Sequence, residues 1–391
     1  MRAQTEGSRE DNLALLLRTL RTRGPLSRAQ PATGSGLSEA TVAPLLANLE
    51  RRDLTETAGA TTTRGRPGQP VRLRAGAVCG IGLEVRPGHL GATVTDLTGE
   101  VRLRRRTSCD TTAPEHVPDQ LADLTGRVPR DVPTAGRAGV AVAVPDRADR
   151  ATGTATADRL RRRDVSAVDG PAARTGLPIR RLDVDNAANL AACAEHDADP
   201  VDHLVHLTGD HSVTAGVIAS GALARGARNH AGEIGHVPLG ATRCACGRRG
   251  CWETRVGLDA FLHACAPRHD RVHDPEPGAG ERMSIPRTRA ERGDARTRDA
   301  PHRTSAASVS GLAVLASPLN PQKIVLGGCF AVLQDRLVAP RREERTRIAA
   351  STLGFAAGGR GAAPVAQRRV PDDPTVVPVR DGSAPTEGAS A

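Results

Sequence analysis

The stretch HAGEIGHVPLGATRCACGRRGCWE, residues 230–253, is the part of the chain that most directly indicates fold and chemistry. Within sixteen residues it combines one histidine and three cysteines, with two glycines between the last two cysteines: His236, Cys244, Cys246, Cys251, Gly247 and Gly250. Three thiolates and one imidazole are a complete tetrahedral ligand set for zinc, with no open position for a catalytic water. The alternative is a group of ordinary buried thiols with a core histidine. Because three of the eight cysteines fall within eight positions, the spacing favours one structural Zn²⁺ per chain.

The overall composition limits the classes of protein to consider. At 391 residues the chain is long enough for two or three domains, each with its own core. It has no apolar run of about eighteen residues, and its first residues, MRAQTEGSREDN, lack the apolar region of a secretory signal. We therefore expect a cytoplasmic protein with no membrane span, and the cysteine usage suits a reducing compartment. One Trp, three Phe and no Tyr argue against recognition of single-stranded nucleic acid by base stacking.

The positive charge is concentrated towards the N-terminus. The formal net charge is +10, and residues 1–75 hold twelve arginines against seven acidic residues, a surplus of five. A basic N-terminal module is the electrostatic footprint expected of a domain that binds double-stranded DNA. A solvated surface would give the same count, so the charge alone leaves both interpretations open.

The N-terminal residues have the pattern of a helix-turn-helix. Residues 12–20, NLALLLRTL, are apolar at helical spacing, and Gly24-Pro25 would end this first helix. Ser27 begins a capping-box pattern that opens a short second helix, which the glycines at 34 and 36 would end. Ser38 can cap a third helix, SEATVAPLLANLERR, with its leucines pointing inward. Two short helices joined by a tight glycine turn predict a helix-turn-helix.

A β-hairpin wing is predicted after the third helix, and we assign residues 1–75 to this winged domain. A Gly/Thr-rich turn and RGRPGQPVRLR place two arginines near the hairpin tip, where they could enter a minor groove or contact phosphates. The predicted DNA-contacting residues are Arg28, Ser38, Glu39, Thr41, Arg64 and Arg66. Pro44 lies inside the third helix, and we expect it to kink the helix or to cost roughly 3 kcal/mol. The alternative is a plain three-helix bundle with a loop.

From residue 76 the pattern changes to alternating buried strands and helices. VCGIGLEV, RAGVAVAVP and QKIVLGG are typical of buried strands, whereas NLAACAEH and SVSGLAVLASPLN are typical of helices. This alternation predicts an α/β fold with two lobes and a cleft over residues 76–372. Residues 266–305 are rich in Arg, Pro and Asp and can be placed only loosely. Residues 373–391 are rich in Pro, Ser and Gly, and we expect a disordered tail there.

These motifs together resemble the ROK family, which joins sugar-responsive repressors and sugar kinases. The resemblance extends from about residue 8 to 374. Within the family, the chain resembles the transcriptional-regulator branch and is similar to xylose and N-acetylglucosamine repressors. It is carried by the GSREDNL opening, the RGRP wing and the motifs VDNAANLAA (184–192), AGEIGH (231–236), CACGRRGCWE (244–253), LNPQKIVLGG (319–328) and LGFAAGGRGAA (353–363). It implies a winged helix-turn-helix followed by a two-lobed actin-like (ribonuclease H-like) domain of the sugar kinase type.

The resemblance also implies a sugar-binding site. In the family, the sugar hydroxyls are held by an Asn-Asp pair, the Glu and His of a GExGH motif, and the Glu after the last cysteine. By motif, these positions correspond to Asn186, Glu233, His236 and Glu253. Carboxylate and amide groups are suited to the hydroxyls of a sugar ring. Each residue alone has an ordinary interpretation, as a turn residue or a solvated helix end, so it is the set that predicts a sugar or sugar-phosphate ligand.

The kinase half of the resemblance fails at one position. Family kinases have Asn-Asp, where the Asp takes the proton of the attacked hydroxyl, but this chain has Asn186-Ala187. Losing a positioned base costs about 10²–10⁴ in rate, and Asp185 would face the opposite side of an extended segment. The two phosphate-binding loops differ as well. Side chains stand where the kinases have glycines, in Gly82-Leu83-Glu84-Val85-Arg86-Pro87 and at Ser212 and Thr214.

The sequence therefore favours a regulator over an enzyme. We expect a repressor of carbohydrate uptake or metabolism genes that binds operator DNA as a homodimer or homotetramer and has no catalytic residues. One alternative is an ATP-dependent sugar kinase of the same family. Another is a zinc-stabilised protein that has lost both activities.

Overall fold

The structure of the chain is a computed structural model. It describes residues 2–26, 35–58, 70–111, 116–131, 136–145, 147–157, 162–178, 181–210, 212–274, 278–332, 334 and 346–380. Among these residues, no helix is long and apolar enough to cross a membrane.

Helices and strands alternate along most of the described chain. The helices are α1 Arg2–Arg23, α2 Glu39–Arg51, α3 Val117–Asp131, α4 Asp169–Thr175, α5 Ala187–Ala198, α6 Glu253–Val256, α7 Leu258–Cys265, α8 Ala279–Glu291, α9 Ala295–Leu319, α10 Cys329–Val332, α11 Ala357–Gln367 and α12 Arg369–Asp372. The strands are β1 Thr55–Thr57, β2 Val71–Leu73, β3 Val78–Arg86, β4 His89–Asp96, β5 Val101–Ser108, β6 Gly136–Val144, β7 Arg147–Asp149, β8 Thr154–Ala157, β9 Arg162–Ser166, β10 Leu182–Asn186, β11 Leu204–Gly209, β12 Val213–Ala219, β13 Ala222–Ala224, β14 Pro238–Arg243, β15 Arg249–Cys251, β16 Lys323–Leu326 and β17 Arg347–Ala350. Short 3-10 turns occupy Ile234–His236, Arg271–His273, Gly354–Ala356 and Pro374–Val376.

The N-terminal unit begins with two helices whose ends follow from their sequences. Helix α1 ends at Arg23, before Gly24, which has a positive φ of 75°. Ser38 caps α2, since its hydroxyl accepts a hydrogen bond from the Thr41 amide at 3.2 Å. Helix α2 continues through Pro44, which is exposed, so the proline does not end the helix. The apolar side of α2 is buried, as its spacing predicts: Val42, Leu45, Leu46 and Leu49.

A short antiparallel pair follows α2. Strand β1 pairs with β2, with Thr55 opposite Leu73. The expected second helix and the expected wing tip lie outside the described residues, and with them three of the predicted DNA-contacting residues: Arg28, Arg64 and Arg66. The winged helix-turn-helix therefore stays a prediction.

Two five-stranded mixed sheets form the two lobes. The first has the strand order β10-β6-β3-β4-β5 and the second has the order β13-β12-β11-β16-β17. In each sheet, three consecutive strands pair antiparallel, and two later strands extend the sheet in parallel from the first of the three. The same order and the same directions in both sheets confirm the predicted two-lobed, actin-like α/β fold.

Two helices lie between the sheets, and glycines let them approach closely. Helix α11 packs on β3 and β6 of the first sheet, α5 packs on β11 and β12 of the second, and the two helices pack on each other. A Cβ atom at Gly216 would collide with the Ala188 carbonyl, and one at Gly361 would collide with the Leu190 carbonyl. A larger residue at Gly216 would push α5 away from the second sheet, and one at Gly361 would push α11 and α5 apart. The close packing of this helix pair therefore sets the separation of the two lobes.

Two regions contain structure that the sequence did not predict. Strands β7, β8 and β9 form a small antiparallel sheet beside the first lobe. Within residues 266–305, where no element was placed, the chain forms α8 and the first part of α9. Both helices contain proline and many arginines, which weakens the apolar periodicity that predicts a helix.

The prediction of disorder was wrong for residues 373–380 of the tail. Asp373 caps the 3-10 turn at Pro374–Val376. The Arg52 guanidinium donates to the carbonyl of Thr375 at 3.1 Å, and the Arg380 amide donates to the Arg51 carbonyl at 2.9 Å. Backbone hydrogen bonds to the end of α2 therefore order a segment that composition alone assigns to disorder.

The N-terminal unit shares a hydrophobic cluster with the first lobe. Leucines of α1 and α2 pack in one cluster with Val78, Leu97, Ala138 and Val370. The domain boundary expected at residue 75 thus crosses a continuous core, which joins the two units physically.

Candidate functional site

The four predicted zinc ligands come together in the structure. His236 ends a 3-10 turn, Cys244 and Cys246 lie in the turn between β14 and β15, and Cys251 ends β15. One ligand atom from each residue lies within 4.8 Å of the others. The Sγ atoms of Cys246 and Cys251 are 3.6 Å apart, close to the roughly 3.8 Å expected for two thiolates on one tetrahedral zinc ion. His236 Nδ1 is buried without a hydrogen-bond partner. The donor set, its spacing and this imidazole nitrogen fit a zinc ion.

Two glycines give the metal turn its shape. Gly247 has a φ of 89° and Gly250 a φ of 86°, values that side chains strongly disfavour. The Cys244 amide donates to the Arg248 carbonyl at 2.8 Å, which closes the turn between the two strands. The CACGRRGC spacing therefore directs the three thiols to one point through local backbone geometry.

The thiols lie in unequal electrostatic surroundings. Burial alone would raise the pKa of the Cys246 thiol, but hydrogen bonds from Arg248 and from the neighbouring thiols lower it to about 7. Burial and the adjacent Glu253 carboxylate instead raise the pKa of the Cys244 thiol. A divalent cation at this point would favour the thiolate form of each ligand.

The predicted sugar-binding carboxylates flank the metal cluster. Glu233 Oε2 lies 4.0 Å from His236 Nε2, and Glu253 Oε1 lies 4.0 Å from His236 Nδ1. The Cys244 thiol donates to Glu253 Oε1 at 3.0 Å. Glu253 is only 5% exposed, so its carboxylate is desolvated beside the cluster. These three side chains form one polar group.

Asn186 lies at the end of β10, where the chain turns into α5. Its side-chain oxygen accepts a hydrogen bond from the Ala188 amide at 2.7 Å, so Asn186 is the N-cap of α5. Helix α5 and the Glu233 segment both pack on β12, because Gly216 contacts Ala188 and Ala215 bonds to Gly232. Asn186 and Glu233 therefore flank the same strand, although they are 47 positions apart in the sequence.

Asp185 has a network of partners that the sequence did not reveal. Its carboxylate accepts hydrogen bonds from Asn189 at 2.8 Å, Asn229 at 3.0 Å and Arg225 at 3.1 Å. Asp185 is 2% exposed. The network ties β10, α5 and the loop after β13 together, and it commits the Asp185 carboxylate to structure rather than to proton transfer. The spacing of Asp185 and Asn189 along the chain was the only sequence signal for it.

The position of the family base is apolar in this chain. Ala187 begins α5, and a Cβ atom at Gly358 would lie 2.8 Å from the Ala187 methyl group. The Ala187 methyl group therefore faces the start of α11, and this side chain cannot accept a proton.

The two segments that correspond by motif to the phosphate-binding loops of the kinases are joined by a buried ion cluster. Arg86, on β3, donates to Asp210 at 2.7 Å and lies 3.4 Å from Glu84. Burial raises the pKa of the Glu84 and Asp210 carboxyls. Burial would lower the pKa of Arg86, but the two carboxylates outweigh it and raise that pKa. The cluster links β3 of the first lobe to the end of β11 in the second lobe.

Comparison with known proteins decides the family. Residues 81–368 match the ROK family. The chain belongs to the ROK family. This match contains the second sheet, the first sheet from residue 81 onward, the metal cluster and the Glu233–His236–Glu253 group.

Curated ROK relatives include both regulators and kinases. The chain is 25% identical over 270 residues to the xylose repressor of Bacillus subtilis (strain 168), covering 67% of this chain and 69% of the repressor. It is 29% identical over 193 residues to a glucokinase of Halalkalibacterium halodurans, covering 46% of this chain and 58% of the kinase.

Solved ROK structures share the fold. A ROK family transcriptional regulator, homologous to the E. coli MLC protein, matches with a TM-score of 0.71 and 20% identity, over 93% of this chain and 97% of the regulator. A ROK glucokinase from Streptomyces griseus, in complex with glucose and AMPPNP, matches with a TM-score of 0.62 and 23% identity, over 74% of this chain and 99% of the kinase. The regulator match thus includes the N-terminal part of this chain, whereas the kinase match leaves about a quarter of this chain uncovered.

The predicted DNA-contacting residues are only partly described. Ser38 and Glu39 are exposed at the start of α2, and Thr41 is half-buried. The hydroxyls of Ser38 and Thr41 lie 2.8 Å apart, so both take part in capping the helix.

Proposed function

We propose that the protein is a sugar-responsive DNA-binding transcriptional regulator, a repressor of carbohydrate genes, that binds a sugar without phosphorylating it. One observation carries the proposal. The polar group that would hold the sugar is assembled around a complete metal-ligand set, while the position of the family's base, next to Asn186 in the sequence, is Ala187. Selection for catalysis would keep the base, whereas selection for sensing needs only the pocket.

In the proposed mechanism, Asn186, Glu233, His236 and Glu253 bind the sugar. The carboxylates accept hydrogen bonds from ring hydroxyls, and the desolvation of Glu253 strengthens these bonds. His236, Cys244, Cys246 and Cys251 would hold zinc, which supplies a fixed anchor for the segment that carries the two glutamates. The protein's contribution is to orient these groups before the sugar arrives.

The same geometry argues against phosphoryl transfer. Ala187 cannot accept the proton of an attacked hydroxyl. Without a base at this position, the rate of phosphoryl transfer falls by about 10²–10⁴. By motif, Arg86 and Asp210 lie in the segments that correspond to the phosphate-binding loops of the kinases, where nucleotide phosphates would need free backbone amides. A nucleotide could bind there only by breaking a buried ion pair.

The route from sugar to DNA runs through contacts that both units share. The N-terminal helices pack in one cluster with Val78, Leu97, Ala138 and Val370 of the following domain. Residues 373–380 bond to the end of α2 through Arg51 and Arg52. A sugar that favours one arrangement of the lobes would therefore shift the N-terminal unit between states of different DNA affinity. A homodimer or homotetramer would bind a palindromic operator.

Relatives support the regulator over the kinase. The B. subtilis relative named as a xylose repressor aligns over 270 residues, against 193 for the H. halodurans glucokinase. Because a glucokinase aligns at all, ATP-dependent sugar phosphorylation is the second candidate, and a direct assay separates the two.

The test combines a ligand screen with a turnover assay on zinc-loaded protein. A thermal-shift screen of sugars and sugar phosphates should give a specific stabilisation by mass action, and the same sugar should change binding to the protein's own upstream DNA. A coupled ATP assay with that sugar should show no turnover. Turnover above about 1 s⁻¹ would favour the kinase, and absence of both sugar and DNA binding would favour a protein that has lost both functions.

A further inference from the structure

A large cavity lies beside the sugar-binding residues. Its volume is about 850 Å³, and it is bounded by the small sheet β7–β9 and by the loop at residues 225–230. Five arginines line it: Arg147, Arg150, Arg163, Arg225 and Arg228. Two carboxylates, Asp149 and Asp164, line it as well. The lining thus carries a surplus of three positive charges.

The two lining carboxylates are used within their own sheet. Asp149 Oδ1 accepts a hydrogen bond from the Ala151 amide at 2.8 Å, and Asp164 Oδ1 accepts one from the Thr156 hydroxyl at 3.2 Å. These bonds hold the turn after β7 and the pairing of β8 with β9. Both carboxylates therefore have structural partners as well as neighbouring arginines.

Two of the five arginines form ion pairs with carboxylates that do not line the cavity, and two others form no ion pair with a described residue. Arg150 lies 2.7 Å from Asp183, and Arg225 lies 3.1 Å from Asp185. Within the described part of the chain, Arg163 and Arg228 are exposed and form no ion pair. A positive surplus remains even when Asp183 and Asp185 are counted. Burial lowers the pKa of His230, and Arg147 and Arg228 lower it further, as a positive cavity requires.

The cavity is continuous with the proposed sugar site along the chain and through side-chain contacts. Arg225 and Asn229, which both line it, donate to Asp185, next to Asn186. His230 also lines it and lies three positions before Glu233, so their Cα atoms are at most about 11 Å apart. The arginine-lined cavity and Glu233 are therefore joined by a short stretch of chain.

We propose that this cavity binds the anionic group of a carbohydrate ligand, either the phosphate of a sugar phosphate or the carboxylate of a sugar acid. The proposal rests on the proposed function, since the ring hydroxyls are held by Glu233, His236 and Glu253. Guanidinium groups donate paired hydrogen bonds to phosphate and carboxylate oxygens, whereas a neutral sugar offers no such partner. Arg163 and Arg228 supply the donors, because no carboxylate of the described chain already pairs with them.

The experiment compares neutral sugars with their anionic forms on zinc-loaded full-length protein. The probes are D-glucose, D-mannose and N-acetyl-D-glucosamine, the 6-phosphate of each, D-glucuronate and inorganic phosphate. Binding is followed by the fluorescence of Trp252, the only tryptophan, and by calorimetry. We expect at least one anionic sugar to bind about tenfold or more tighter than its neutral parent and than inorganic phosphate.

The variant Arg163→Gln/Arg228→Gln should reduce this preference to about threefold or less and leave the affinity for the neutral parent unchanged. Arg268→Gln, an exposed arginine outside the cavity, should keep the full preference. Zinc content and circular dichroism confirm that each variant is folded. Preference that survives in the double variant, or neutral sugars that bind as tightly as every anionic form, would overturn the inference and leave the proposed function intact. Failure of every probe to bind would overturn the inference, and the sugar screen combined with DNA binding decides the proposed function separately.

Discussion

The packing of Trp252 gives a sharp test of how the second lobe supports the site. Trp252 lies between the proposed zinc ligand Cys251 and the proposed sugar-binding residue Glu253, and it is fully buried. Its indole nitrogen donates to the Ala307 carbonyl at 2.7 Å, and its ring stacks on Phe330 at a centroid distance of 6.2 Å. A Cβ atom at Gly311, on α9, would collide with the indole ring. Gly311→Ala therefore forces either α9 or the ring to move.

The expected magnitude follows from two opposing effects. Glycine to alanine within a helix ordinarily stabilises by about 0.5–1 kcal/mol. Overpacking in a core costs about 1–3 kcal/mol, and here the ring is held on both sides, so the upper end applies. We expect Gly311→Ala to lower the free energy of unfolding by about 2 kcal/mol and to weaken zinc retention and sugar affinity, because the shift reaches Cys251 and Glu253.

The assay is urea unfolding followed by circular dichroism, with zinc content measured on the same samples. Trp252→Phe removes the ring atoms that Gly311→Ala would strike, so the double variant should recover about 1 kcal/mol relative to additivity. Ser310→Ala, an exposed neighbour on the same helix, should change stability by less than about 0.5 kcal/mol. A Gly311→Ala protein as stable as the wild type, with unchanged zinc, would refute this account of the packing.

Three further predictions address the metal, a buried histidine and the C-terminal segment. The protein should hold about one equivalent of zinc, which Cys244→Ser should lose and Cys265→Ala should keep, as measured by elemental analysis. Burial lowers the pKa of His206 from 6.5 to about 4, so the unfolded chain binds a proton there before the folded protein does. The contribution of neutral His206 to the free energy of unfolding is complete above pH 6.5 and is lost as the pH falls towards 4. The wild type should therefore lose about 2 kcal/mol more of its free energy of unfolding between pH 7 and pH 5 than His206→Leu does. Arg52→Ala removes donors to the carbonyls of residues 375 and 377 and should cost about 1–3 kcal/mol, exposing residues 373–380 to limited proteolysis.

Each of these predictions has an outcome that contradicts it. A Cys244→Ser protein with full zinc content would exclude the proposed ligand set. Equal acid sensitivity in wild type and His206→Leu would show that His206 does not titrate in this range. Arg51→Ala, whose side chain is exposed, is the control for Arg52→Ala, and equal protease sensitivity in the two would remove the role of Arg52.

Local sequence signals predicted the features that depend on local geometry. Gly24 and Ser38 marked helix ends because a positive φ and a capping hydroxyl act within one turn. The cysteine–glycine spacing predicted the metal cluster, since its three thiols lie in one hairpin. The buried strands were predictable because their apolar runs are short and flanked by glycine.

Features that join distant segments were not predictable from one sequence. Asp185 gathers partners from residues 189, 225 and 229, and the Arg86–Asp210 pair spans 124 positions. Residues 373–380 have a disorder-like composition but bond to α2, which composition cannot reveal. Helix α8 and the part of α9 up to residue 305 were obscured by Pro286 and Pro301, which their tertiary packing tolerates.

The most direct test of sensing without catalysis is the fluorescence anisotropy of labelled upstream DNA, titrated with protein in the presence and absence of the sugar found in the screen. Sugar should change the Kd for DNA by about 5–150-fold, the usual range of allosteric coupling. Glu253→Gln should bind the DNA normally but lose this response, because it weakens the proposed sugar contact; zinc content measured on the same sample checks that the contact of Glu253 with Cys244 is not the cause. A Kd for DNA that is the same with and without sugar in the wild type, while ATP supports phosphorylation of that sugar, would contradict the account.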